Sequence, residues 1–159
     1  MAKEEIFEAT KKVYGLYGAF FKVVADELGT KKALALHAKA HEEQGMAAGK
    51  FLKENLGDES PDLQKLGSIL KDSNLSIGID CNLHQTTESL LSFENFHCPM
   101  YDGYRAGGLD DDTAEALCQK GATAKLGTML RLLNPKLEYN LTRYRSESDE
   151  PCVEDISIK

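Results

Sequence analysis

The sequence predicts an α+β fold, in which an N-terminal layer of helices packs on a four-stranded, largely antiparallel sheet. Two periodicities predict it. Apolar residues recur every three or four positions in the N-terminal part, as in amphipathic helices, and they alternate in the C-terminal part, as in half-buried strands. A chain of 159 residues, 42% of them apolar, is long enough for one core. We therefore expect a single domain, with a helical layer at 1–72 and a cysteine-bearing α/β unit at 73–159.

The predicted elements are three helices followed by a β-β-α-β-β unit. The first strand is expected where Ile77, Ile79 and Cys81 alternate with polar residues. A turn at 71–74 separates this strand from the helices. In chain order, the predicted elements are helices at 3–28, 30–56 and 61–70, strands at 75–83 and 89–96, a short helix from 99 that is broken at 107–108, a long helix at 110–133, and strands at 137–141 and 152–158.

Glycine and proline mark several helix ends. Gly29 is typical of the position just after a helix, and Thr30 of a cap at the start of the next one. Pro61 suits the first turn of the third helix. Within the second helix, Gly45 and Gly49 lie four residues apart, a spacing that favours a groove for close helix packing. The N-terminal helices are therefore a candidate surface for self-association through this groove.

The acidic composition argues against several classes of partner. The net charge is −7 and no cluster of Lys and Arg occurs, so we expect neither nucleic acid nor anionic lipid to bind. No apolar run approaches the ~18 residues that span a bilayer. The charged start, Met-Ala-Lys-Glu-Glu, lacks the profile of a signal peptide, which predicts a cytoplasmic protein. Because no glycine-rich loop joins a strand to a helix, we expect no nucleotide, flavin or nicotinamide cofactor.

Four cysteines in the C-terminal half are the candidates for chemistry: Cys81, Cys98, Cys118 and Cys152. In a reducing compartment such cysteines are core residues, metal ligands or reactive thiols. Three of them, all but Cys98, share the apolar face of a predicted strand or helix, so each alone is typical of a core. Together the four predict a zinc or iron–sulfur site as one alternative, with His84 as a substitute ligand, although no Cys-x-x-Cys pair occurs.

Cys98 is the most informative of the four. It precedes Pro99, and proline prefers the first position of a helix, so the thiol is predicted at the N-cap. The helix dipole and the free N–H groups at that position lower the pKa of a thiol and favour the thiolate. A buried cysteine at the end of a strand is the alternative. His97 is adjacent in sequence, and it is a candidate for proton transfer, as is His84.

Histidines and arginines form two further groups. His37 and His41 lie four apart on the second helix, where we expect a solvated face, since no glutamate follows the first histidine as it does in zinc proteases. Arg143 and Arg145 are candidates to bind a substrate carboxylate bidentately. The alternative is local ion pairing with the acidic residues that follow them, namely Glu147, Asp149 and Glu150.

From about residue 75 to residue 158, short motifs follow one another in a characteristic order. They are Phe96-His97-Cys98-Pro99-Met100-Tyr101-Asp102, Gly108-Leu109, Leu117-Cys118, Asn134-Pro135-Lys136-Leu137 and Pro151-Cys152. The pattern resembles the L-2-amino-thiazoline-4-carboxylic acid hydrolase-like family. The resemblance implies hydrolytic opening of a cyclic amidine, with Cys98, Cys118 and Cys152 at the family's cysteine positions. Tyr101, in the Cys-Pro-x-Tyr loop, is a candidate substrate-binding residue.

Three hypotheses about function remain open. In the first, the protein is a small-molecule hydrolase: Cys98 attacks the amidine carbon, His97 or His84 moves protons, and an arginine holds the substrate carboxylate. In the second, the four cysteines bind zinc or an iron–sulfur cluster in a redox, sensor or Lewis-acid role. In the third, the chain is a ligand-binding or interaction module without catalytic activity.

Overall fold

A computed structural model describes residues 3–57 and 61–159, and there the predicted α+β fold is confirmed. Long helices come first, and strands arranged around a further long helix follow them. In chain order the elements are α1 (Lys3–Leu28), α2 (Thr30–Leu56), α3 (Leu63–Ser76), β1 (Asp80–Thr86), β2 (Leu90–Phe96), α4 (Pro99–Ala106), α5 (Asp111–Leu133), β3 (Leu137–Arg143) and β4 (Cys152–Ile158). None of the described helices has a stretch long and apolar enough to cross a bilayer.

The described strands form one antiparallel sheet in the order β1-β2-β4-β3. β2 and β4 are the central pair, and their register places Asn95 opposite Cys152 and Phe93 opposite Glu154. Side chains alternate between the two faces of a strand, so these residues share the face of the sheet that looks towards the helices. α5 contacts β3 on that face, and α3 contacts β1 and β2.

Two of the three hydrophobic clusters in the described residues hold the layers together. One lies between the sheet, α3 and α5, and it includes Leu66, Leu91 and Ile156, none of which is exposed. The other joins α1 and α2 to α4 and α5 around Phe21 and Tyr104. Because burial of apolar area is the main stabilising term in folding, these clusters fix the helical layer against the sheet. Between them the packing leaves a cavity, which is described below.

The groove predicted at Gly45 and Gly49 is an internal packing surface. Both glycines are buried, and a Cβ at Gly45 would collide with the carbonyl group of Lys125 on α5. A Cβ at Gly49 would meet the side chain of Leu132 at 2.8 Å. α5 therefore fills the groove, as the spacing for close helix packing predicts, and the groove is not open to a second copy; self-association through another surface of the N-terminal helices stays a prediction.

The boundary between α3 and β1 differs from the prediction. The helix continues through the predicted turn to Ser76, and the strand begins only at Asp80, so the alternation from residue 75 to 79 was not a strand signal. The Asn74 side chain donates a hydrogen bond to Asn95 Oδ1 at 2.9 Å, which ties the end of α3 to β2. Gly78, with a φ of 87°, then turns the chain into the strand.

Two predicted helix caps are also wrong. Gly29, with a φ of 83°, occupies the N-cap of α2, and Thr30 is the first residue inside the helix. Asp62 caps α3, because its carboxylate accepts a hydrogen bond from the Lys65 backbone N–H at 2.7 Å, and Pro61 precedes the helix. The predicted acidic start of α5 is confirmed, where Asp110 accepts a hydrogen bond from the Thr113 N–H at 2.7 Å.

Gly45→Ala is expected to lower the free energy of unfolding by about 1–3 kcal/mol, because the added methyl group collides with the backbone of α5. Gly15→Ala is the matched control. It also lies inside a long helix, but its Cβ would meet the Gly103 carbonyl oxygen at 3.5 Å, an ordinary contact. Urea denaturation of both variants measures the difference. Equal unfolding free energies would contradict the close packing of α2 on α5.

Candidate functional site

A cavity of about 350 Å³ lies between the helices and the inner face of the sheet. This volume is within the range of small-molecule binding sites, which are mostly apolar with a few polar groups. The walls of this cavity follow that pattern. Its apolar lining comes from several elements and includes Leu52, Ile69, Ile77, Phe93, Leu126 and Met129.

One side of the cavity is polar, and we call it the polar wall. β2 and β4 supply three of its residues where their inward faces change from apolar to polar side chains. The loop before α4, the helix α5 and the β3–β4 connection supply the others. The polar wall consists of Asn95, Cys98, Cys118, Arg145, Cys152 and Glu154. The fold therefore brings together three cysteines that are far apart in sequence.

Arg145 is the central residue of the polar wall. Its side chain is buried, with 1% of the residue exposed. The guanidinium group donates hydrogen bonds to the Asn95 carbonyl oxygen at 2.6 Å, the Ser148 carbonyl oxygen at 3.1 Å and Cys152 Sγ at 3.4 Å. It also lies over the ring of Tyr101, 5.5 Å from the ring centroid.

The predicted local ion pairing of Arg145 does not form. None of the ion pairs within residues 3–57 and 61–159 includes it. Glu150 instead accepts hydrogen bonds from the backbone N–H and the hydroxyl of Ser146. A guanidinium has five N–H donors, and the hydrogen bonds to Asn95, Ser148 and Cys152 use three of them. Arg145 is thus a buried cation with spare donors beside a cavity, an arrangement suited to an anionic ligand group.

Cys98 occupies the predicted N-cap of α4, but its predicted electrostatics are wrong. Burial raises the pKa of this thiol to about 11, and it outweighs the Arg145 charge and the backbone N–H groups of Tyr101 and Met100, which lower it. Burial, with a smaller effect of Cys98, also raises the pKa of the Cys118 thiol well above its usual value. Both thiols therefore keep their protons at neutral pH.

Cys152 differs from the other cysteines of the polar wall in its contact with Arg145. Like Cys118 it is only partly buried, and its sulfur accepts the hydrogen bond from Arg145 Nε. Among the described thiols, Cys152 is the one that the arginine contacts by a hydrogen bond.

Glu154 is a site residue that the sequence analysis missed. Burial raises the pKa of its carboxyl group, although the Tyr139 hydroxyl and the Asn95 amide oppose this. Asn95 Nδ2 donates a hydrogen bond to Glu154 Oε1 at 2.6 Å. A signal was present in the sequence, since Glu154 lies between Cys152 and Ile156 on the predicted inward face of the last strand.

His37 and His41 do not form the predicted solvated face. His37 is 3% exposed, and its Nε2 donates a hydrogen bond to the Leu117 carbonyl oxygen at 3.0 Å, which fixes Nδ1 as the acceptor from the Tyr17 hydroxyl at 2.7 Å. The two rings pack against Gly121 of α5, where no larger residue would fit. The two histidines do share one face of α2, as their spacing predicts, but this face packs on α5 instead of forming a solvated surface.

His41 lines the cavity away from the solvent-facing side of α2. Burial lowers the pKa of its imidazole to about 4, and the positive charges that His37 and Lys125 carry when protonated contribute. Its Nδ1 atom is buried without a hydrogen-bond partner in the described residues. His41 is therefore a neutral ring at physiological pH, with one nitrogen available to a ligand.

The remaining predicted site residues lie outside the cavity. His97 is exposed, with a φ of 43°, and His84 is exposed near Glu94, 4.0 Å between Nδ1 and Oε2. Arg143 is exposed and pairs with Glu94 at 3.7 Å. Tyr101 is buried against Arg145 and donates a hydrogen bond to the Ser146 carbonyl oxygen at 3.4 Å. None of these four residues lines the cavity, so their location does not support the predicted roles in proton transfer and substrate binding.

The four cysteines are not arranged as one ligand set. Cys81 is 3% exposed and belongs to the hydrophobic cluster around Leu66 and Leu91, whereas the other three line the cavity. In the described part of the chain, no group of three or more His, Cys, Asp or Glu side chains is placed to hold a metal ion. A cysteine-ligated metal stays a prediction that would need the side chains to rearrange.

Comparisons with known proteins assign no family to the chain. No family model matches the sequence, and no curated protein matches it.

The free energy of unfolding is expected to fall between pH 6.5 and 4, partly because of His41. The imidazole has a pKa of about 6.5 in the unfolded chain and of about 4 in the folded protein. Below pH 6.5 the unfolded chain therefore binds a proton that the folded protein does not, and the free energy of unfolding falls until the pH reaches about 4. Over this pH range the free energy of unfolding of the variant His41→Gln should fall by on the order of 2 kcal/mol less than that of the wild type. The exposed His84→Gln is the control, and it should follow the wild type in urea denaturation at each pH. Parallel curves for all three proteins would contradict a buried, neutral His41.

Proposed function

We propose that this protein is a small-molecule hydrolase that opens a cyclic amidine, such as a thiazoline ring, by chemistry centred on its cysteines. The observation that carries the proposal is a buried arginine, without an ion pair to any residue that the structure describes, beside three thiols in a cavity of ligand size. The resemblance of the C-terminal motifs to the thiazoline carboxylate hydrolase-like family supports the same substrate class. The mainly apolar walls would shield a reacting ligand from part of the solvent.

Arg145 is the proposed binding site for a substrate carboxylate. Its donors to Asn95, Ser148 and Cys152 hold the guanidinium in one orientation, and its spare N–H groups would bind the carboxylate. The apolar walls favour a compact ring over an extended polar chain. At the α2 side of the cavity, the unpartnered nitrogen of His41 supports recognition of one further polar group of the ligand.

Cys152 is the proposed nucleophile. Reactive cysteines lie in electropositive, partly exposed surroundings, and Cys152 is partly exposed beside the Arg145 guanidinium. The hydrogen bond from Arg145 supports this role for Cys152, whereas burial holds Cys98 and Cys118 in the thiol form. In the sequence Cys98 was the preferred nucleophile, and the reversed direction of its pKa shift is the reason for the change.

Glu154 is the proposed proton carrier. It follows Cys152 by two residues on the same face of β4, and its raised pKa suits a group that both accepts and returns a proton. It takes the proton of the Cys152 thiol, and the sulfur then forms a bond to the amidine carbon. The ring nitrogen receives this proton from Glu154 and a second one from the exocyclic amino group, which becomes an imine. It then leaves as a primary amine when the carbon–nitrogen bond breaks.

Hydrolysis of the thiol-bound intermediate completes the reaction. Water adds to the same carbon, the Glu154 carboxylate takes one of its protons, and the other proton ends on the imine nitrogen as the carbonyl group forms. The carbon–sulfur bond to Cys152 then breaks, and the sulfur recovers a proton from Glu154. The products are the ring-opened compound and the starting enzyme, so the reaction consumes one water and needs no oxidant or reductant.

We also propose that the protein acts in the cytosol. All four cysteines are unpaired, and free thiols persist in reducing compartments.

Cys152→Ala is expected to lower the rate of ring opening by at least about 10³-fold, because removal of a nucleophile leaves only binding and electrostatic effects. The assay follows loss of a 2-aminothiazoline-4-carboxylate by chromatography. Cys81→Ala is the matched control, since it removes a buried cysteine away from the cavity, and it should retain turnover. Thermal unfolding of both variants shows whether they are folded.

Two outcomes would count against this proposal. Full activity of Cys152→Ala, with loss in Cys98→Ala, would assign the nucleophile to Cys98. Wild-type protein that turns over no cyclic amidine carboxylate would contradict the hydrolase itself.

A further inference from the structure

An apolar stripe runs along the outside of α1, and no described element covers it. Its residues are Val13, Leu16, Phe20 and Val23, and between 60% and 75% of each residue is exposed. They are spaced three, four and three residues apart, the seven-residue pattern of a helix that packs on another helix. Scattered exposed apolar residues are ordinary, but a continuous stripe marks an interaction surface.

The stripe is separate from the face by which α1 joins the fold. The inner face packs through Tyr14, Gly18 and Phe21. Gly18 allows the backbone of α4 to approach closely, because a Cβ added at this position would lie only 3.3 Å from the backbone of Tyr104. A helix that is apolar on two faces is buried on both. The pattern therefore calls for a partner helix outside the chain described here.

We propose that the partner is a second copy of this chain, with the two α1 helices packed antiparallel about a two-fold axis. In this arrangement Leu16 of one copy lies opposite Phe20 of the other, and Val13 lies opposite Val23. All four residues of the stripe are then covered, each against an apolar partner. A two-fold interface uses the same surface on both copies, as a single self-complementary stripe requires.

Charges beside the stripe favour the antiparallel direction. Lys12 precedes the stripe and Asp26 follows it, so each lysine lies two residues, about 3 Å along the axis, from the level of the other copy's aspartate, within reach of its long side chain. Asp26 is exposed and pairs within its own helix with Lys22 at 3.2 Å, an interaction that leaves its second oxygen for Lys12. A parallel arrangement would instead bring Lys12 against Lys12 and Asp26 against Asp26, which is unfavourable.

The area of the stripe is close to what a specific dimer needs. If each side chain loses on the order of 100 Å² of exposed surface, the four residues in two copies contribute about 800 Å². The flanking polar residues add to this area, and specific interfaces bury at least about 1,000–1,200 Å² in total. The helix spans 26 residues, about 39 Å, so its length does not limit the contact.

Sedimentation of the full chain between about 1 and 100 µM tests the proposal, and a dimer is expected. Leu16→Glu buries a charge in the centre of the interface and should give a monomer with unchanged thermal unfolding of the fold. Leu75→Glu is the matched control, because Leu75 is 40% exposed on α3, away from the stripe, and this variant should remain dimeric. A wild-type monomer at every concentration would overturn the proposal, as would a Leu16→Glu variant that still dimerises.

A charge exchange tests the direction of the helices. Lys12→Glu and Asp26→Lys should each raise the dissociation constant by about 2–10-fold, since each creates two like-charged contacts. The double variant should restore wild-type affinity. Failure of the double variant to recover, with each single variant weakened, would rule out the antiparallel pairing.

Discussion

The buried guanidinium of Arg145 is the interaction on which the candidate site depends. Its three hydrogen bonds join the end of β2 at Asn95, the β3–β4 connection at Ser148 and the start of β4 at Cys152. Burial of a charge is costly, and Arg145 has no ion pair with a carboxylate in the part of the chain that the structure describes, so these hydrogen bonds must offset that cost. The orientation of Cys152 and the charge of the polar wall both follow from this one side chain.

The cavity exists because the inward faces of β2 and β4 change character along their length. Leu91 and Ile156 lie in the hydrophobic cluster, where helices α3 and α5 pack tightly on the sheet. Towards Asn95 and Cys152 the same faces carry polar groups, which helices with apolar side chains cannot cover without leaving polar atoms unsatisfied. The polar end of the strand pair therefore lines the cavity, and the apolar end stabilises the fold.

The fold was predictable from the sequence because the period of the apolar residues differs clearly between helices and strands. The N-cap position of Cys98 was predictable from Pro99. The start of β1 was not predictable. The Asn74 side chain, at the end of α3, donates a hydrogen bond to Asn95 on β2, and the local sequence gives no signal of such a long-range bond. The burial of His37 and His41 was missed for a similar reason, since it depends on Gly121, which is far away in the sequence.

The electrostatics of the site were the least predictable part. The position of Cys98 at a helix start indicates a lowered pKa, but the depth of burial decides the sign, and burial is a property of the whole fold. Glu154 could have been found by its place on the face of Cys152. Arg145 was named as a candidate, but its burial and its contact with Cys152 depend on the pairing of β2 with β4.

The central claim, that Arg145 makes Cys152 a reactive thiol in a site for carboxylates, is tested most directly by alkylation with two small reagents. Cys152 is identified by peptide mapping after brief exposure to iodoacetate or to iodoacetamide, and free cysteine serves as the reference for both. The account predicts that Cys152 is modified before the other three cysteines. It also predicts that iodoacetate is favoured over iodoacetamide, relative to free cysteine, by about 10-fold, because the arginine binds its carboxylate. Earlier modification of Cys98, Cys118 or Cys81, or a reagent preference equal to that of free cysteine, would contradict it.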